Sequence, residues 1–351
     1  MINPRISVVI PITRYEFELI DAMESVFSQS EQDFEVVLVD NHATSGTRII
    51  AKEWERKHSD RVRIVNEPIK GAVSARNRGI SESRGEFIAL LDSDDRMKPD
   101  RLRIQCNIIT KDPTISLVGS WFDEISPDGK RIIKKNSMPQ IPRWAAILFE
   151  GRSRWALDPF LEPQTSTFFF RSSVARKIGM FDCRFDPFWL EDTDFAFRLY
   201  EVGKVYIVPQ SLVEYRVHSE ADSLRRIFDF GLIAKHDLFF SVLREKYYQK
   251  ENRESVNAFK KLKARWLRET GIKLLANKSG EKYGKELIKQ SLELEPFNIQ
   301  TLESVVRMNL PSRFHPRPFR VKEGSEERLP DFINNQWIKN LFFLEDPSNE
   351  S

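Results

Sequence analysis

Four short apolar runs alternate with segments of helical period in the first hundred residues, and that alternation limits the fold more than any other feature of the chain. Residues 6–12 are rich in β-branched side chains and read as a buried strand. Residues 16–29 then place Phe17, Ile20, Met23 and Phe27 at helical spacing. A second apolar run, 34–39, ends on Asp40, and a polar loop over 41–47 leads to a helix through Ile50 and Trp54. Residues 62–65 give a third strand, 71–79 a small-residue loop turning into a helix, and 87–91 run straight into Asp92. This order predicts an α/β fold with a Rossmann-like, mostly parallel sheet flanked by helices and joined by right-handed crossovers. Ligands of such sheets sit at the carboxyl ends of strands, where Asp40 and Asp92 both fall.

Leu90-Leu91-Asp92-Ser93-Asp94-Asp95 puts three carboxylates within four residues at one strand end. They repel one another unless a cation lies between them. A hard divalent ion shared with phosphate oxygens is the common remedy. A polar turn in which Asp94 or Asp95 caps the next helix fits the same residues.

The stretches Val8-Val9-Ile10-Pro11, Phe34-Glu35-Val36-Val37-Leu38-Val39-Asp40, Gly71-Ala72-Val73-Ser74-Ala75-Arg76-Asn77-Arg78-Gly79 and Leu91-Asp92-Ser93-Asp94-Asp95 follow in order. Together they resemble the nucleotide-sugar half of family 2 glycosyltransferases, which have the GT-A fold. The resemblance implies that Pro11, Asp40, Arg76, Asp92 and Asp94 bind a nucleotide sugar. Asp40 would hold the nucleoside base or ribose, and Arg76 would sit near the nucleotide. Asp92 and Asp94 would form a D-x-D pair with Asp94 the nearest metal ligand, which implies a divalent cofactor, Mn²⁺ or Mg²⁺. Two positions depart from the family pattern. Asn41 stands where a second Asp is frequent, and Ile12-Thr13-Arg14 where Tyr-Asn is usual. Asn41 still forms hydrogen bonds, so altered donor preference rather than lost activity is expected.

Farther along, 99–109 predict a helix, 115–122 a strand, and Pro127-Asp128-Gly129-Lys130 a turn returning the chain through 131–133 as a hairpin. Trp144, Trp155 and Phe160 flank the segment 152–164. Aromatic rings stack on sugar faces, which would put Trp155 on the acceptor side, although core packing is the commoner fate of such rings. Residues 165–171 read as another strand. Glu191, Asp192 and Asp194 open a helix carrying Phe195, Leu199 and Val202, where the helix dipole favours negative charge. Simple N-capping by Asp192 or Thr193 accounts for the same residues. Glu191-Asp192 followed by Arg198 resembles the catalytic-acid motif of the family. That resemblance implies Asp192 as the general base that takes the proton of an attacking hydroxyl, with Glu191 orienting the acceptor or capping the helix. Tyr215-Arg216-Val217-His218 resembles the family too. His218 is then a third metal ligand beside Asp94 and Asp92, a diphosphate contact, or a structural hydrogen-bonder. Arg216 and Arg225 are further candidates for the diphosphate.

From 223 onward the pattern becomes helical, at 226–248, 255–276, 280–294 and 301–310. The expected organisation is a catalytic domain over 1–222, a C-terminal helical appendage over 223–310, and an extended basic and aromatic tail over 311–351 with a short amphipathic helix. Basic residues in 313–322 could touch anionic lipid. The 55 Lys+Arg against 52 Asp+Glu leave a net charge of +3, too small to imply a nucleic-acid partner. No run approaches a membrane span, and Cys106 and Cys183 match no zinc or redox spacing. The expectation is therefore a cytoplasmic protein, at most peripheral at the inner face of a membrane, with homodimerisation open.

Its partners would be a nucleoside-diphosphate sugar, with a UDP-sugar favoured, and a hydroxyl of a glycan or lipid-linked acceptor in cell-surface polysaccharide synthesis. Two other functions compete. A sugar nucleotidyltransferase needs a Gly-rich basic loop after the first strand, where Thr13-Arg14-Tyr15-Glu16 stand instead. The other is a catalytically inactive nucleotide- or glycan-binding protein on the same fold, and retention of Asp40, Asp92, Asp94 and Asp192 together counts against it.

Overall fold

The computed structural model describes residues 4–137, 164–185, 191–218 and 281–308, with isolated positions between 245 and 275. The chain divides into two compact units, 1–141 with 161–224, and 142–160 with 225–351.

The first unit is built on one sheet. Strands β1 (Ile6–Ile12), β2 (Phe34–Asp40), β3 (Val62–Asn66) and β4 (Phe87–Leu90) form its parallel half in the order β3-β2-β1-β4. Every residue of β1 except Pro11 is buried. That is the signature of a central parallel strand covered on both faces. Alternate side chains feed two separate cores. Ile6, Val8, Ile10 and Ile12 with Val36 and Leu38 meet Leu19, Ala22, Met23 and Val26 of α1 (Glu16–Phe27) on one face. The same core takes Ala51 of α2 (Ser45–Lys57) and Leu102, Cys106 and Ile109 of α4 (Arg101–Lys111). Val9, Val37, Val39, Ile88 and Leu90 face the other way, toward Val73, Ala75 and Ile80 of α3 (Ala72–Glu82). A period of two in the strands thus meets a period of 3.6 in the helices on each face. The α/β reading holds.

Beyond β4 the sheet is mixed. Strand β5 is the two-residue piece Arg96–Met97, and β6 runs from Ile115 to Ile125 before the turn at 126–129 sends β7 (Ile132–Ser137) back antiparallel, as the hairpin signal predicts. Gly129 has φ +68°, the left-handed conformation such a turn asks of it. The run 165–171 differs from expectation. Thr165–Thr167 is a 3₁₀ turn, and only Phe169–Arg171 forms strand β8, inserted antiparallel between β4 and β6. The hydroxyl residues divert the backbone, because both the Thr167 N–H and its Oγ1 donate to the Gln164 carbonyl, at 2.6 and 2.7 Å. Helix α5 (Ser172–Lys177) follows, then α6 (Glu191–Val202) and a single long strand, β9 (Lys204–Arg216), parallel to β6 and antiparallel to β5.

In the second unit, α7 (Glu281–Leu294) and α8 (Ile299–Met308) match the two shorter helical segments of the sequence. Asn298 caps α8 by accepting from the Thr301 N–H at 3.0 Å. The tail over 311–351 lies outside the described residues. Among the described residues no helix is long and apolar enough to cross a membrane.

Candidate active site

Strands β1, β2 and β4 end on the same edge of the sheet, in register: Ile12 lies beside Asp40, and Val9 beside Leu90. Pro11 pairs with Val39 one step before that edge. The acidic turn follows β4 there, and its three carboxylates have different surroundings. Asp92 is the most open, with 31% of its side chain exposed, Asp94 has 18%, and Asp95 is completely buried.

Arg76 holds Asp92. Its Nη2 donates to Asp92 Oδ1 at 3.1 Å while Nη1 donates to Glu191 Oε1 at 3.0 Å, so one buried guanidinium joins the turn after β4 to the start of α6. Burial disfavours the Arg76 cation, but the charges of Asp92 and Glu191 outweigh it and raise its pKa. Glu191 is pushed up to about 7, chiefly by burial and then by the neighbouring Asp192 carboxylate, with Arg76 opposing. Asp192 lies in the first turn of α6, not at its N-cap. Thr165 Oγ1 donates to Asp192 Oδ2 at 3.4 Å.

The neighbouring hydroxyl completes the connection. Ser166 Oγ accepts from the Asp92 N–H at 3.0 Å and donates to Asp95 Oδ2 at 2.5 Å. Asp95 Oδ1 accepts from the Arg216 N–H at 2.9 Å. Burial first, and then the charges of Asp94 and Asp92, raise the Asp95 carboxyl well above the usual range. Asp95 is thus a buried junction between the acidic turn, the 3₁₀ turn and the end of β9. Acids a hundred residues apart in sequence meet in one hydrogen-bonded cluster.

Asp94 faces the other way, where its Oδ2 lies 3.1 Å from His218 Nε2. Burial raises the Asp94 carboxyl, the His218 bond opposes this, and the Asp92 charge adds to it. Tyr15 stacks on the His218 ring at 5.0 Å and 17°. Arg216 supports the turn from beneath, with 2% of its side chain exposed. Its Nε donates to the Asp94 carbonyl at 2.8 Å, Nη1 to the Pro127 carbonyl at 2.8 Å and Nη2 to Asp21 Oδ2 at 2.7 Å. The guanidinium is therefore engaged in positioning Asp94, and the sequence reading of Arg216 as a diphosphate contact gives way to that role.

Asp40 ends β2 with Oδ1 accepting from the Ala43 N–H at 3.0 Å and Oδ2 accepting from Arg48 Nε at 2.6 Å. Burial pushes its carboxyl up, but the Arg48 guanidinium and the Ala43 N–H more than offset this and hold it below the usual value. Phe195 fixes α6 on the sheet, stacked on Phe181 at 4.1 Å and edge-on to Phe170 at 5.1 Å. Trp155, with Trp144, Phe160 and Arg225, lies outside the described residues.

Sequence reasoning counted Asp95 among the acids of the turn but gave it no role as a buried junction, and it passed over Ser166, Thr165, Arg48 and Tyr15. Only Asp95 carried a local signal, as the third acid of the run. The others act through partners too distant in sequence for spacing to show.

A divalent cation needs oxygen or imidazole donors that can be shared with phosphate. Asp94 and His218 supply one carboxylate and one imidazole within contact of each other, both partly open. Asp92 is taken up by Arg76. Among the described residues no group of three or more His, Cys, Asp or Glu side chains is already gathered as a metal cage. The pair suits an ion that brings its remaining ligands with the substrate, as Mg²⁺ commonly does.

The sequence profile of glycosyl transferase family 2 matches residues 7–179. EpsE of Bacillus subtilis strain 168, assigned there as a glycosyltransferase, is 30% identical over 229 residues, which cover 64% of this chain and 76% of EpsE. The chain belongs to glycosyltransferase family 2. The segment matched by the family profile contains Asp40, Arg76, Asp92, Asp94 and Ser166 of this glycosyltransferase and stops short of Glu191, Asp192 and His218. TuaG of the same bacterium, assigned as a glycosyltransferase of teichuronic acid biosynthesis, is 37% identical over 104 residues, 29% of this chain and 41% of TuaG. The crystal structure of S. aureus TarS in complex with UDP-GlcNAc is similar with a TM-score of 0.49 at 15% identity, covering 87% of this chain and 90% of that one.

Proposed function

We propose that this glycosyltransferase moves a sugar, with inversion, from a nucleoside diphosphate to a hydroxyl of a glycan or lipid-linked acceptor in the synthesis of a cell-surface polysaccharide. A UDP-sugar is the favoured donor. The reading is carried by one observation: Asp192, through Thr165, and Glu191, through Arg76, belong to the same cluster as Asp92 and Asp95 at the carboxyl edge of the sheet. Assignment of TuaG to teichuronic acid biosynthesis accords with a polymer as product.

In this reading Asp40 holds the nucleoside, and Arg76 lies on the side of the diphosphate. Asp94 and His218 would hold a divalent cation, Mn²⁺ or Mg²⁺, with Asp92 adjoining. When bound, the ion supplies positive charge against that building on the leaving diphosphate. Asp192 accepts the proton of the acceptor hydroxyl as its oxygen attacks the anomeric carbon, on the face opposite the departing nucleoside diphosphate. Glu191, already bonded to Arg76, orients the acceptor beside that base.

Asp192→Asn is expected to abolish transfer while nucleoside-diphosphate binding stays intact, and Asp94→Asn to weaken both. Radiolabelled-sugar transfer and calorimetric titration with UDP, each with and without Mn²⁺, measure the two. Full turnover by Asp192→Asn would remove Asp192 as the base.

A further inference from the structure

Asn41 follows Asp40 and is 4% exposed, yet it bonds nothing in its own loop through its side chain. Its Nδ2 donates to the Glu67 carbonyl at 3.1 Å and to the Ile69 carbonyl at 2.7 Å, and its Oδ1 accepts from the Gly71 N–H at 2.9 Å. His42, in the left-handed conformation at φ 57°, places its Nε2 2.8 Å from the Pro68 carbonyl. The Glu67 N–H adds a bond to the Asp40 carbonyl at 2.9 Å. Three successive carbonyls, Glu67, Pro68 and Ile69, are thus held by two side chains of the loop after β2.

What is held matters. The segment 67–71 runs from the end of β3 to the start of α3, and Arg76 sits on the second turn of that helix with its guanidinium on Asp92. Asn41 grips both the loop and Gly71, the residue before the helix. It therefore ties the residue after Asp40 to the start of the helix that carries Arg76.

We infer that Asn41 is a positioning residue that fixes the span between the nucleoside end and the diphosphate end of the donor site. This rests on the reading of Asp40 and Arg76 given above. In this chain an amide does the task. Both N–H bonds of Nδ2 point at carbonyl oxygens, and a carboxylate in that place would turn acceptor against acceptor at two contacts. The amide of Asn41 is consumed within the protein, so it acts on the donor by holding the loop, not by touching the base.

The test compares Asn41→Asp and Asp40→Asn with the wild-type chain. Binding is measured for whichever of UDP, GDP and dTDP the wild type holds best, and separately for inorganic pyrophosphate, which spans no such distance. For Asn41→Asp, the nucleoside diphosphate should bind about thirtyfold more weakly, the factor set by losing two buried hydrogen bonds of about 1 kcal/mol each. Pyrophosphate binding should stay within about twofold of wild type, a change of under ~0.5 kcal/mol. His42→Ala removes the bond to Pro68 without placing a charge in the loop, and should give the same pattern more mildly. An equal loss for both ligands, or unchanged binding in Asn41→Asp while Asp40→Asn loses the nucleotide, overturns the role of Asn41 alone. Unchanged binding in Asp40→Asn overturns the site reading itself.

Discussion

Glu191→Gln should make the protein more stable at alkaline pH, and the size of the effect follows from what surrounds the carboxyl. Glu191 has 14% of its side chain exposed, with Arg76 on one side and the Asp192 carboxylate adjoining; the other arm of Arg76 is occupied by Asp92. Burial and Asp192 raise its pKa from 4.5 to about 7 despite the guanidinium. The sign is that of a raised acid. The folded state binds the proton more tightly than the unfolded chain does, so the associated stability is complete below pH 4.5 and is lost as pH rises through about 7. At about 1.4 kcal/mol per pH unit the loss reaches about 3 kcal/mol by pH 8. Gln has the shape of the protonated acid at every pH. The two proteins should therefore melt together near pH 4.5 and separate as the wild type weakens. By pH 8 the variant should melt roughly 6–12 °C higher, at roughly 2–4 °C per kcal/mol for a unit of this size. Thermal melts followed by circular dichroism across that range give the curve. A gap that does not change with pH would mean that Glu191 ionises normally. It would then refute the dry, shared site between Arg76 and Asp192.

Two further substitutions test the supports of the cluster. Arg216→Gln removes a buried guanidinium from half-exposed Asp21 and frees the carbonyls of Asp94 and Pro127, so a loss of about 1.5–3 kcal/mol is expected in urea unfolding. Surviving folded protein should bind nucleotide weakly with Mn²⁺ present, because Asp94 is no longer held. Phe195→Ala empties the ring cluster with Phe170 and Phe181 and should cost about 3–5 kcal/mol. Its transfer rate should fall more than its affinity for UDP, since Phe195 anchors the helix that carries Asp192 and not the strand that carries Asp40.

The parallel half of the sheet was legible because its information is local. A strand buried on both faces must be apolar at nearly every position, and β1, β2 and β4 are, so their ends and the acids placed on them could be read from composition and period alone. The antiparallel half was not, because β8 is three residues long and its neighbours β4 and β6 are chosen by the whole packed sheet. The site divides along the same line. Asp40, Asp92 and Asp94 announce themselves as polar residues where an apolar run stops. Ser166 and Arg216 bear no such mark, and their partner Asp95 lies 71 and 121 residues away. The same separation explains why spacing could suggest that Arg216 bonds phosphate but could not show its guanidinium already engaged. A carboxylate cluster of this kind repels itself, and the chain answers with hydrogen-bond partners drawn from three remote places: Arg76 from α3, the Arg216 N–H from β9 and the His218 ring just past it. The first two give their N–H donors largely to the protein. In the proposed reading an incoming ion would be held between His218 and Asp94, because Arg76 is shared between Asp92 and Glu191 and the Arg216 guanidinium is spent on two carbonyls and Asp21.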